Sequence, residues 1–190
     1  MPALAANKIL VLGDSLSAAY GLAIDQGWVT HLEGRLRQQA SDYSLVNASI
    51  SGETTAGGRA RLTSLIKQHQ PSIVILELGA NDGLRGLPVS EMKRNLSVMI
   101  VACQQANARV LLVGMRMAPN YGPSYTQAFD RAFAELAKQH RTALVPFLFE
   151  GFADQRSFFQ ADQLHPTAAA QARMHDNVWR VLSPMLQKPQ

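Results

Sequence analysis

A chain of 190 residues with 47% hydrophobic and 17% charged residues can bury one substantial core, so a single domain is expected. Its net charge of +4 comes from basic residues scattered along the sequence rather than gathered into a stripe, which argues against a nucleic-acid partner. No apolar run approaches the roughly 20 residues needed to span a bilayer, and a single cysteine, Cys103, rules out an internal disulfide and makes a cysteine metal site implausible.

At the amino terminus, Ala3-Leu4-Ala5-Ala6 has the small-x-small pattern that precedes a signal-peptidase cut, with no apolar segment before it. Residues 1–6 therefore read as a signal-peptide remnant or short leader of an exported protein, with an ordinary frayed terminus as the alternative, and residues 7–188 as the folded domain. A first apolar run, 9–12, has the length of a buried strand, and Trp28, Val29, Leu32 and Leu36 then recur on one helical face. A second strand is predicted at 44–48, followed by a helix carrying Leu62, Leu65 and Ile66. Within it, Gly57-Gly58 reads as close helix packing rather than a nucleotide-binding turn. The third strand, 73–78, precedes a helix with Met92, Leu96, Met99, Ile100 and Cys103 on one face, which makes Cys103 a core residue. Strand 110–114, a helix with Tyr125, Phe129, Phe133 and Leu136, strand 143–145 and a helix from about 167 to 186 complete the chain.

Regular alternation of strand and helix implies right-handed crossovers and helices on both faces of a parallel sheet. The expected fold is a single three-layer α/β/α domain, flavodoxin-like, around a five-stranded parallel sheet. Functional groups in such folds collect at the carboxyl ends of the strands. The loops there are Gly13-Asp14-Ser15, Ser49-Ile50-Ser51-Gly52-Glu53 and Gly79-Ala80-Asn81-Asp82-Gly83, joined late in the chain by Asp162-Gln163-Leu164-His165-Pro166.

A serine hydroxyl needs an imidazole to take its proton as it attacks, and the imidazole needs a carboxylate on its other nitrogen. Ser15, His165 and Asp162 supply these three groups; a turn can bring residues three apart together, and Pro166 favours a loop at His165. The oxyanion of an acyl-transfer intermediate would be met by the N–H of Ser15 at a helix start, the N–H of Gly52 and the side-chain amide of Asn81. Each residue also has a plainer reading: Ser15 as a helix cap, and His165 as a loop brace. Asp14 and Asp82 could form a metal pair, but bracing of the Ser15 and Asn81 loops is preferred, and no metal is expected. His31, His69, His140 and His175 read as surface or helix-end residues. Leu84, Leu87, Pro119, Tyr121, Phe149 and Phe152 form either an apolar acyl groove or ordinary core.

Taken together and in order, Gly13-Asp14-Ser15-Leu16-Ser17, Gly52, Gly79-Ala80-Asn81-Asp82 and Asp162-x-x-His165 resemble the blocks of the SGNH (GDSL) hydrolase family. Asn47-Ala48-Ser49-Ile50-Ser51-Gly52, Asn81-Asp82-Gly83-Leu84-Arg85-Gly86 and Pro119-Asn120-Tyr121-Gly122 narrow the resemblance to its bacterial multifunctional thioesterase/protease/lysophospholipase group. The resemblance implies a periplasmic, monomeric, cofactor-free enzyme acting on acyl thioesters, aryl and alkyl esters and lysophospholipids. It also implies a mobile loop, here 82–88, closing over the acyl chain. Ser17 stands where a Gly-x-Ser-x-Gly nucleophile elbow has its last glycine, which weakens the alternative α/β-hydrolase reading. Two competing functions remain at this level: a carbohydrate O-acetyl esterase of the same family, and a carbohydrate- or lipid-binding module that has lost the reaction.

Overall fold

The computed structural model describes residues 7–40 and 42–186; the expected leader 1–6 and domain end at 188 lie outside them. Five strands, β1 (Asn7–Gly13), β2 (Tyr43–Asn47), β3 (Ile73–Glu77), β4 (Arg109–Val113) and β5 (Ala143–Val145), alternate with helices α1 (Trp28–Gln39), α2 (Thr55–His69), α3 (Ala80–Leu84), α4 (Val89–Gln105), α5 (Pro123–His140) and α6 (Ala168–Leu182). All strand pairs are parallel in the order β2-β1-β3-β4-β5. This is the doubly wound order in which the chain first grows toward one edge and then reverses, opening a crevice at the carboxyl ends of the central strands.

The central strands are apolar on both faces because helices cover both. Ile9, Leu10, Val11 and Leu12 are buried, as are Ile73, Val74, Ile75 and Leu76. Helices α1 and α6 pack together over one face, and α2, α4 and α5 over the other. The seams follow the helical spacing: Trp28, Val29, Leu32 and Leu36 are buried on α1, and Met92, Leu96, Met99, Ile100 and Cys103 on α4. Burial pushes the Cys103 thiol up to about 12, so it is an unreactive core group. On α2 only Leu62 of the three expected residues is fully buried; Leu65 and Ile66 lie at the edge of the core. Gly58 explains the close approach there, since a Cβ on it would stand 2.3 Å from Leu78 Cδ1.

The structure corrects one expectation and decides one alternative. His175 is neither a surface nor a helix-end residue but a buried group in the middle of α6, and that burial lowers its pKa below the usual histidine range. Phe149 and Phe152 belong to the hydrophobic core, where Phe149 meets Phe152 and Phe159 ring to ring, so they do not line a surface groove. The last helix ends at Leu182, with a single tighter turn over Ser183–Leu186.

Candidate active site

β1 delivers the chain to Ser15, but no helix begins there. The Ala18 N–H donates to the Asp14 carbonyl at 3.0 Å and the Tyr20 N–H to the Ser15 carbonyl at 3.1 Å, while Ala19 (φ 56°) and Gly21 (φ 74°) take left-handed conformations. Those two residues stop the turn from propagating, and the first α-helix waits until Trp28. Asp14, fully buried, braces the turn by accepting the Leu16 N–H on Oδ1 at 3.0 Å. Ser15 is 8% exposed, and its Oγ lies 2.9 Å from His165 Nε2.

His165 reaches that position from a loop pinched at its base. Phe159 and Pro166 form an antiparallel bridge, the Gln160 N–H donates to the His165 carbonyl, and the Thr167 N–H donates to the Phe158 carbonyl, both at 2.8 Å. Inside the pinch, Asp162 Oδ1 accepts the N–H groups of Leu164 and His165 at 3.0 Å, so the carboxylate shapes the turn it sits on. Its Oδ2 lies 2.7 Å from His165 Nδ1. The hydrogen bond from the ring, followed by the His165 backbone N–H, holds the Asp162 carboxyl down at about 2, so it stays charged wherever the protein is folded at ordinary pH. A proton on Nδ1 leaves Nε2 as an acceptor aimed at the serine hydroxyl. Ser15, His165 and Asp162, 150 residues apart at the extremes, are thus one hydrogen-bonded chain.

Gly52 follows β2 with φ +80°, a conformation that favours glycine, and a Cβ there would meet only Arg85 Nη2 at 3.9 Å, leaving the backbone open to an approaching molecule. Among the described residues neither the Ser15 nor the Gly52 N–H has an acceptor within the chain. Asn81 lies in α3 at the end of β3, and its amide is engaged: Nδ2 donates to Asp14 Oδ2 at 2.9 Å and to the Glu53 carbonyl at 3.1 Å. Asp82 accepts the Thr55 N–H at 2.8 Å and the Thr55 hydroxyl at 2.5 Å, and Arg85 donates to the Gly52 carbonyl at 2.9 Å. Side chains of α3 and its C-cap therefore clamp the 52–55 segment at Gly52, Glu53 and Thr55.

Asp82 and Gly83, within the expected mobile loop 82–88, are buried and helical; its exposed part is 84–88. Tyr121 and Tyr125 donate their hydroxyls to the Leu84 and Leu87 carbonyls at 3.1 and 2.7 Å. Beside this segment lies an open cavity of about 480 Å³ lined by Pro88, Val89, Tyr121 and Tyr125 among others. The oxygens of Asp14 and Asp82 are occupied by these donors, and no cluster of three or more His, Cys, Asp or Glu side chains arranged to hold a metal ion occurs among the described residues. Two groups were not legible beforehand. Tyr20 lays its ring 4.4 Å from that of His165, and Glu77, the last residue of β3, is buried beneath the Ser15 turn.

Chemically the arrangement offers an activated hydroxyl, a base with a fixed tautomer and two unpartnered backbone donors on one crevice, which is the equipment of acyl transfer. A model of the GDSL-like lipase/acylhydrolase family matches residues 11–173. The chain is 49% identical to the esterase TesA of Pseudomonas aeruginosa over 96% of its own length and 90% of the relative's. It is 40% identical to the thioesterase 1/protease 1/lysophospholipase L1 of Escherichia coli over 97% and 87%. The crystal structure of the psychrotrophic esterase EstA from Pseudoalteromonas sp., inhibited by monoethylphosphonate, superposes with a TM-score of 0.90 at 41% identity, covering 96% of this chain and all of that one.

The left-handed backbone at Gly52 makes a direct test available. Gly52→Ala is expected to lower stability by about 1–2 kcal/mol in denaturant titration, and to lower kcat by up to about 100-fold as the strained loop moves its N–H out of place.

Proposed function

The chain belongs to the GDSL-like lipase/acylhydrolase family and hydrolyses carboxylic esters and thioesters; we propose that it does so through an acyl-enzyme on Ser15. Ser15 Oγ attacks the carbonyl carbon as its proton passes to His165 Nε2, and the charged Asp162 stabilises the imidazolium that forms. The developing oxyanion is received by the N–H groups of Ser15 and Gly52, and by the Asn81 amide once one of its two present acceptors is exchanged for the substrate oxygen. Collapse expels the alcohol or thiol, which takes the proton from His165. A water, deprotonated by the same imidazole, then attacks the acyl-enzyme and releases the acid. The observation that carries this reading is the continuous Ser15–His165–Asp162 hydrogen-bond chain, 2.9 and 2.7 Å long.

The proposed substrates are small acyl esters and thioesters: fatty acyl thioesters, aryl and alkyl esters, and lysophospholipids. Exposed Leu84 and Leu87 and the neighbouring open cavity supply apolar surface for an acyl chain. No helix among the described residues is long and apolar enough to cross a membrane. A periplasmic location and a monomeric state complete the proposal, the first supported by the Ala3-Leu4-Ala5-Ala6 pattern.

Ser15→Ala is expected to abolish fluorophosphonate labelling and to reduce turnover of acyl thioester, aryl ester and lysophospholipid together, with an acetylated sugar the poorest wild-type substrate. Persistent turnover in the variant contradicts the assignment. The depressed Asp162 carboxyl remains charged down to about 2 and does not set the acid limb of a rate profile, whereas Asp14, raised to about 6 by burial, loses its charge there while it holds the Leu16 N–H and the Asn81 amide. Below the break in a pH–rate profile, kcat/KM should fall about tenfold per unit while circular dichroism shows the fold intact, and the break should persist in Asp14→Asn; a flat profile in either protein counts against His165 as the base.

A further inference from the structure

Glu77 is fully buried, has no basic partner, and plays no part in the chemistry described above. It ends β3 directly opposite Gly13 in the β1–β3 register, so its carboxyl group lies under the turn that carries Ser15. Ser17 Oγ and Glu77 Oε2 share a 2.6 Å hydrogen bond, and the Asp14 N–H points to the same oxygen at 3.4 Å. The other oxygen, Oε1, is buried without a hydrogen-bond partner. A Cβ on Gly13 would stand 2.6 Å from Ser17 Oγ and 2.8 Å from Glu77 Oε2. The first and last residues of Gly13-Asp14-Ser15-Leu16-Ser17 are therefore fitted to this carboxyl group, on either side of the nucleophile.

We propose that Glu77 is a positioning residue for Ser15 and that it works as a neutral carboxylic acid. This rests on Ser15 being the nucleophile. An ionised group in this place would hold a full charge away from water with one oxygen bare, no cation beside it and a second carboxylate, Asp14, against it. A protonated group removes the charge, keeps the short bond to Ser17, and leaves only a carbonyl oxygen unpaired. The charged group facing it is Asp14, from the end of β1, which in turn feels His165 and Asp82. The ionisable side chains of α1 and α6, over this face of the sheet, include His31 and His175, which meet ring to ring, and Arg35, Arg37 and Arg180, which pair with Asp176, Glu33 and Glu150. Burial first, and the Asp14 charge second, drive the Glu77 carboxyl well above its ordinary range; burial likewise raises Asp14, to about 6. Holding Glu77 neutral leaves one anion rather than two in the buried floor of the site. It also ties Ser17 and the Asp14 backbone to β3, so that the Ser15 turn, which is not a helix, keeps its place relative to His165.

The sign of the pH dependence follows. Above the ordinary glutamate pKa the unfolded chain has released this proton and the folded chain keeps it, so stability falls as pH rises until the folded group also ionises. The experiment pairs thermal unfolding from pH 5 to 8 with steady-state kinetics and fluorophosphonate labelling on wild type, Glu77→Gln, Glu77→Ala, Ser17→Ala and Ser15→Ala. The Gln variant is expected to lose less of its Tm between pH 5 and 8 than the wild type does. Glu77→Ala is expected to lower kcat and the labelling rate by about 10- to 100-fold with KM little changed, and Glu77→Gln to recover most of that loss. Should Glu77→Ala fail to fold, Ser17→Ala carries the kinetic test, with the same direction. A Gln variant whose Tm follows pH in parallel with the wild type overturns the neutral acid. A folded Ala variant, or in its absence a Ser17→Ala variant, with wild-type kcat overturns the positioning role. Ser15→Ala separates the two levels: if it stays active the nucleophile assignment itself has failed, whereas a dead Ser15→Ala beside a fully active Glu77→Ala refutes only the proposal about Glu77.

Discussion

Parallel pairing of β1 between β2 and β3 is the constraint from which the site follows. Register partners Val11 and Asn47 on one side, and Gly13 and Glu77 on the other, bring the three strands out of the sheet at nearly the same level. Ser15, Gly52 and Asn81 lie on the three segments that leave those strands, so side-by-side pairing of buried strands also sets the spacing between the proposed nucleophile and the proposed oxyanion donors. Only the base comes from elsewhere. The pinched loop before α6 carries His165 to the serine from the other end of the chain, and Asp162 both folds that loop and orients the ring. The His165 ring and the unpartnered N–H groups of Ser15 and Gly52 are oriented before any reaction, which is where preorganised donors and bases gain their effect, and only the Asn81 amide has an acceptor to exchange.

Charge is distributed in the site by depth. Asp162, partly in solvent and bonded to the imidazole, is held down at about 2, whereas burial raises Asp14, under the Ser15 turn, to about 6 and drives Glu77 beneath it well above the ordinary glutamate range. The exposed carboxylate can stabilise an imidazolium as it forms. The buried pair organises backbone and amide groups instead: Asp14 takes the Leu16 N–H and the Asn81 amide, and Glu77 takes Ser17 and the Asp14 N–H. Clamping of residues 52–55 by Asn81, Asp82 and Arg85 does for the Gly52 loop what this pair does for the Ser15 turn.

Much of this was legible in the residues. Apolar runs marked all five strands to within a residue or two, because a strand covered on both faces reads as an uninterrupted hydrophobic stretch. The residues expected to meet, Ser15, Gly52, Asn81, Asp162 and His165, lie at the same end of the sheet, Asn81 in the short helix α3 and the other four on loops. What could not be read were contacts with no local signature. Glu77 continues an apolar strand and looks like its polar end; its burial depends on Gly13 and Ser17, sixty residues earlier. Tyr20 stacks on His165 only because Ala19 and Gly21 turn the chain back, and left-handed alanine has no mark in composition. His175 was misread because periodicity places a histidine on a helix without saying whether a second layer, here α1, covers it. Phe149 and Phe152 follow the last strand, where loop and core alternate within a few residues.

A covalent acyl bond to Ser15 is the step on which the proposed reaction depends. The wild-type enzyme, mixed with an acyl thioester, quenched in acid within the first turnover and digested, should yield the peptide containing Gly13-Asp14-Ser15-Leu16-Ser17 with the mass of the acyl group on Ser15, and His165→Ala should accumulate far less of it. Full turnover with no acylated serine, or acyl mass on Ser17 or another residue, would contradict it.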